Sequence, residues 1–242
     1  TAGVGASEAL RRVNVGEREL DAAARGHLSD LYDASLAECD AAVGAFLQRL
    51  RDSGHFDDAV ILVVSDHGEA LGERDQTMHG ELMDATLHIP MLLHLPGGSG
   101  AGSVRDDLVE TVDIAPTLLT VAGLPPEEIS QGVDLRVDSG RGAAFHRSGP
   151  DYAVSTGEGW RLFHRQSASG LEWTHLRRYG PGIGPADGVD VLADSLAVID
   201  PHVESIQRWH AANRAVARRF SGAEVRMSGA DEDLLRSLGY ID

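Results

Sequence analysis

The feature that most constrains this chain is an apolar run, Ala59-Val60-Ile61-Leu62-Val63-Val64, that ends abruptly in Ser65-Asp66-His67-Gly68. A run this short and this rich in β-branched residues predicts a strand. Without alternation it predicts one buried on both faces, as in a parallel sheet. Upstream, Leu28, Leu31, Tyr32, Leu36, Cys39, Val43, Phe46, Leu47 and Leu50 recur at steps of three and four, the period of an amphipathic helix, and Gly54 lies just past its end. A helix feeding such a strand is α/β organisation, and open α/β sheets place their chemistry at the carboxyl ends of strands. Asp66 and His67 stand at that edge.

Further on, Ile89 to Leu93 reads as a second strand with Pro90 near its start, and Glu81 to Leu87 as a short helix between the two. Asp113 and Pro116 open another helix, which Gly123 ends. From about residue 142 short segments (Tyr152 to Thr156, Trp160 to His164, Leu171 to Leu176) alternate with Gly and Ser and predict a small antiparallel sheet. A Gly/Pro-rich loop over Gly180 to Gly188, a helix over His202 to Phe220 and a last helix after Asp231 complete the expectation. The chain therefore reads as a mostly parallel α/β core over residues 1–141 and a small α+β subdomain over 142–242.

Composition excludes some roles. The net charge of −17 disfavours nucleic acid, whose phosphates need basic patches, and all 21 basic residues are Arg. No run approaches the ~20 apolar residues of a membrane span, and the first residues carry neither the basic nor the apolar stretch of a secretory signal. They do not begin with Met, so a processed or excised piece is expected, with localisation and oligomeric state left open. The single Cys39 precludes an internal disulfide.

An adjacent carboxylate and imidazole at a strand end can face one point, and Asp oxygen with His nitrogen suits a divalent metal. Gly68 lets the backbone turn there, and Glu69 is placed to orient a ligand. A solvated turn capped by Asp66 is the alternative. The wider sequence Val63-Val64-Ser65-Asp66-His67-Gly68-Glu69-Ala70-Leu71-Gly72-Glu73, followed by Met78-His79-Gly80-Glu81-Leu82-Met83-Asp84 and Leu87-His88-Ile89-Pro90-Met91, resembles the sulfatase family of the alkaline phosphatase superfamily. Val112-Asp113-Ile114-Ala115-Pro116-Thr117-Leu118-Leu119 is similar to another signature of that family, and Ser237-Leu238-Gly239-Tyr240 to its common carboxyl-terminal ending.

The resemblance implies an alkaline-phosphatase-like sandwich and hydrolysis of a sulfuric ester on a small molecule or glycan. It makes Asp66 and His67 the second pair of metal ligands, and His79 the basic residue that touches the sulfuryl oxygens or acts as general acid. Calcium is the first expected ion, with zinc or manganese as alternatives. The family's nucleophile, a Cys in Cys-x-Pro-x-Arg that becomes formylglycine, has no counterpart, since Asp-Ala-Ala follows Cys39; the first metal carboxylates are missing too. A carboxyl-terminal portion of a longer enzyme is therefore expected, inactive by itself on an aryl sulfate. A phosphoryl-type relative (a phosphonate or phosphodiester hydrolase, or a phosphoethanolamine transferase) and a non-catalytic binding module are the other readings. His88 and His94 read as core or edge residues.

Overall fold

A computed structural model of the chain describes residues 2–125, 130–137, 140–167, 170–178, 189–190 and 196–219, with positions 228, 229 and 232. The loop expected over Gly180 to Gly188 and the last helix, apart from Glu232, lie outside the described residues. Two compact units are present, Thr1–Asp200 and Pro201–Asp242. In chain order the elements are helices α1 (Ala2–Asn14) and α2 (Ala22–Asp52), strands β1 (Ile61–Val64), β2 (Ala70–Leu71) and β3 (Thr77–Met78), helix α3 (Asp84–Leu87), strand β4 (Met91–His94), helix α4 (Ile114–Val121), strands β5 (Ala143–Ser148), β6 (Asp151–Thr156), β7 (Trp160–Ser167), β8 (Gly170–Arg178) and β9 (Val189–Asp190), and helix α5 (Leu196–Arg219).

Helix α2 starts where Asp21 accepts a hydrogen bond from the Ala24 N–H at 2.8 Å, which satisfies one of the amides that a helix start leaves over. It ends at Ser53, with Gly54 in the left-handed conformation at φ +73°. The predicted apolar stripe is present but open: no α2 residue is buried, and Leu31, Leu36 and Phe46 are each about half exposed. Cys39 is exposed on the same helix.

The described core lies in the carboxyl-terminal sheet, ordered β5-β6-β7-β8-β9 and antiparallel throughout. Leu162, Val154 and Leu176 are at most 1% exposed and stand in register across β6, β7 and β8. Leu82, Ala153 and Phe163 form a buried cluster with Leu87 against it, so the segment after β3 is seated on the sheet.

The mixed α/β class and the small antiparallel sheet are as expected. The direction of one ladder is not. The apolar run forms β1, which pairs antiparallel with β4, Val64 opposite Met91, rather than parallel. Val63 and Leu92 reach solvent at 37% and 60% exposure. An apolar run reports burial, not strand direction, and among the described residues no further strand extends this ladder. No helix among the described residues is long and apolar enough to cross a membrane.

Asp113, expected to cap α4, makes no side-chain cap there. Instead its carboxylate accepts the Glu110 N–H and the Val133 N–H, each at 2.8 Å, and pairs with Arg141.

Candidate functional site

The chain turns sharply where β1 ends. The Ser65 hydroxyl donates to the His67 carbonyl at 2.6 Å, and the Asp66 carboxylate accepts the His67 N–H at 2.9 Å. Gly68 then donates its N–H to the Thr86 carbonyl at 2.9 Å, docking the turn on α3. A Cβ on Gly68 would lie 2.0 Å from the Ala85 carbonyl oxygen, so this contact has no room for any other residue.

The short β2–β3 hairpin supplies the second part. Ala70 pairs with Met78 and Leu71 with Thr77, and this register carries Glu69 to His79. Arg74, Asp75 and Met78 adopt positive φ (54°, 58° and 68°), an uncommon conformation for residues with side chains, which lets so short a hairpin close. Asn14 at the end of α1 pins it, with its amide bonded to both the N–H and the carbonyl of Thr77 at 2.7 and 2.8 Å.

His67 and His79 come together, their rings stacked 4.0 Å apart between centroids. His79 Nδ1 lies 3.1 Å from a Glu69 carboxylate oxygen, and His67 Nδ1 lies 2.9 Å from the Gly68 carbonyl. A carbonyl and a carboxylate only accept, so both Nδ1 atoms carry the hydrogen. The basic nitrogen of each neutral ring is then Nε2. Donor atoms of His67, Glu69 and His79 all lie within 4.8 Å of one another, and the Asp66 carboxylate is 3.7 Å from His67 Nε2. Glu69, read from the sequence as an orienting group, thus belongs to the cluster itself. The hairpin that places it has no periodic signal to be read. His94 is held apart, its Nε2 3.1 Å from the Phe56 carbonyl; His88 lines the cavity in front of the cluster.

That cavity, about 790 Å³, is lined by Asp66, His67 and His79 and also by His146, Arg147 and Ser148 of β5. Ser148 is tied to the site loop, its hydroxyl donating to the Gly80 carbonyl at 2.9 Å, and Arg161 of β7 pairs with Asp84 of α3. His146 meets the Ser155 hydroxyl at 2.9 Å, and burial pushes its imidazole down to about 4. As pH falls, the unfolded chain therefore takes up this proton before the folded chain does. The folded state should lose roughly 1–3 kcal/mol from this group between about pH 6.5 and 4. Urea unfolding of wild type and His146→Gln over that range should show the shallower pH dependence in the variant; parallel curves would refute the assignment.

Comparison with known proteins defines the class first. The structure resembles a protein solved in complex with its substrate D-glucosamine-2-N,6-O-disulfate (TM-score 0.60, 21% identity, 80% of this chain and 41% of that one). It also resembles the phosphonate monoester hydrolase of Agrobacterium radiobacter (TM-score 0.59, 24% identity, 74% and 40%). The fold is that of the alkaline-phosphatase-like enzymes. Within that fold, the Sulfatase family model matches residues 7–124 of the chain. Relatives include the ulvan-active sulfatase of Formosa agariphila, 35% identical over 42% of this chain and 16% of its own length. Human arylsulfatase K is 35% identical over 41% of this chain and 18% of its own length. The chain thus spans less than a fifth of the length of these two relatives.

Proposed function

We propose that this chain supplies the second half of a divalent-metal centre in a sulfuric ester hydrolase. In this reading Asp66 and His67 are metal ligands, and His79 contacts the sulfuryl oxygens. The observation that carries it is the meeting of Asp66, His67 and His79 at the carboxyl end of β1, in front of a substrate-sized cavity. The residues fit such an ion: an imidazole Nε2 beside a carboxylate is a first-row divalent donor set. When bound, the metal supplies Lewis-acid polarisation of the ester oxygens and activation of a nucleophile.

The chain's own residues do the rest. Gly68 fixes His67 through its carbonyl, so His67 presents Nε2. Glu69 accepts from His79 Nδ1 and fixes the ring, so that His79 Nε2 is the nitrogen left to face an anionic oxygen. From there it can stabilise developing charge or hand a proton to the leaving alcohol. The nucleophile and further carboxylates come, in this proposal, from residues outside this sequence, and β5 of the 142–242 subdomain lines the substrate cavity together with residues of the 1–141 core. A sulfated glycan or small sulfate ester is the proposed substrate. A phosphonate or phosphodiester substrate is the second reading, favoured by the likeness to a phosphonate monoester hydrolase.

The convergence of His67, Glu69 and His79 favours a variant of the site in which Glu69 and His79 are themselves ligands. One titration addresses both. Calorimetry with zinc, manganese and calcium on the chain as it stands should show zinc and manganese tighter than calcium, because calcium prefers an all-oxygen shell. Asp66→Ala and His67→Ala should each weaken zinc at least tenfold, and His79→Ala by less than threefold. A tenfold loss in His79→Ala would make it a ligand; unchanged affinity in both Asp66→Ala and His67→Ala would overturn the proposal.

A further inference from the structure

A second cavity, of about 400 Å³, lies beside the first and shares Glu81 and Leu82 with it as lining residues. Its polar lining is mostly cationic or hydrogen-bond donating: Arg74, Gln76, His164, Arg165 and Arg177. Two carboxylates face it. Asp151 is engaged by Arg165 through two hydrogen bonds of 2.6 and 2.8 Å, and Glu81 is the other, so three guanidinium groups line the cavity with two carboxylates. Such an excess of arginine runs against the composition, in which 38 acidic residues outnumber 21 basic ones.

Arg74 is the informative residue. Its backbone sits at φ 54°, ψ 32°, a left-handed conformation that side-chain-bearing residues rarely adopt. Its Nη2 is buried and has no hydrogen-bond partner among the described residues. Burying a guanidinium N–H without an acceptor is unfavourable, and so is the backbone that places it there. Both costs are offset when an acceptor with several oxygens enters the cavity, because the planar guanidinium fork matches an oxyanion. Tyr152 and His164, which also line the cavity, stack with their ring centroids 4.9 Å apart, and His164 is only 2% exposed.

We infer that the cavity formed by Arg74, Gln76, Arg165 and Arg177 is an oxyanion-binding site, distinct from the cavity faced by His67 and His79, that takes a sulfate group. This does not rest on the metal reading of the first cavity. The sulfate is either free or carried on a sugar, and the test separates the two.

The probe is inorganic sulfate, titrated into the full chain at constant ionic strength against chloride. Calorimetry gives the affinity, and the Arg74 side-chain Nε–Hε resonance reports where the ion sits. Saturable binding should move the Arg74 resonance. It should weaken at least tenfold in Arg74→Gln, partly recover in Arg74→Lys, and stay unchanged in His79→Ala. Circular dichroism and melting in chloride check that the variants fold, and the wild-type resonance carries the test if they do not. Absence of binding, equal affinity in a folded Arg74→Gln, or a static Arg74 resonance with binding lost in His79→Ala would each overturn the inference. A sulfated monosaccharide then identifies the source: binding at least tenfold tighter than inorganic sulfate and lost in Arg74→Gln assigns the site to a sulfate carried on a sugar, and binding no tighter than the free ion assigns it to free sulfate. Failure of the metal titration would leave all these outcomes readable.

Discussion

Asp113→Ala is expected to lower the stability of this chain by about 3–5 kcal/mol, the cost of breaking a buried ion pair by removing one member. Asp113 is fully buried, and three groups converge on it: the Glu110 N–H, the Val133 N–H and the Arg141 guanidinium. Burial pushes its carboxyl above the ordinary range, with the Val133 hydrogen bond pulling the other way, and burial pushes the Arg141 guanidinium below its own. The pair is therefore no gain over an apolar packing. Its removal is another matter, because alanine leaves two backbone amides without their acceptor and takes one carboxylate from the buried guanidinium. Glu110, which also pairs with Arg141, holds only part of that charge. Asp113→Asn keeps the shape and one acceptor oxygen and should lose about 1–3 kcal/mol. Urea midpoints at pH 7 measure both. A loss below about 1 kcal/mol for the alanine variant would mean that water replaces the carboxylate and that the site is less closed than described.

The second large effect is expected at Leu162. It is 1% exposed in the middle of β7, opposite Val154 on one side and Leu176 on the other. Truncation to alanine opens a cavity that the two flanking strands cannot collapse into, and should cost about 2–5 kcal/mol. Leu36 on α2 is the control: at 55% exposure its truncation should stay within about 0.5 kcal/mol of wild type. Thermal unfolding of the two variants side by side gives the comparison, and equal losses would contradict the placement of the core in the carboxyl-terminal sheet.

What could be read from the sequence follows how far each signal is local. The run Ile61 to Val64 and the Asp66-His67 pair at its end are contiguous, so strand and site edge are legible together. The stripe on α2 gives the helix but not its surroundings, because a hydrophobic period reports what a face is able to bury and not what covers it. Strand direction between β1 and β4 is set by pairing, which leaves no mark in either strand alone. The β2–β3 hairpin leaves no mark in the sequence, because two-residue strands have no period and its left-handed residues are Arg74, Asp75 and Met78 rather than glycines. The approach of Glu69 to His79 across ten positions is hidden with it. Arg141 and Asp113 are further apart still, and nothing near Asp113 in sequence announces that its role is to hold a distant arginine instead of a helix end.

The two ties between the carboxyl-terminal sheet and the site loop, Ser148 to Gly80 and Arg161 to Asp84, have a kinetic consequence. They fasten the segment that follows His79 to strands β5 and β7 of the packed sheet. Its amides should therefore not exchange with solvent deuterium on the fast schedule of an ordinary surface loop. They should open only as the β5–β7 strands let go, so that loop and sheet share one protection class and the geometry around His79 persists for as long as the sheet does.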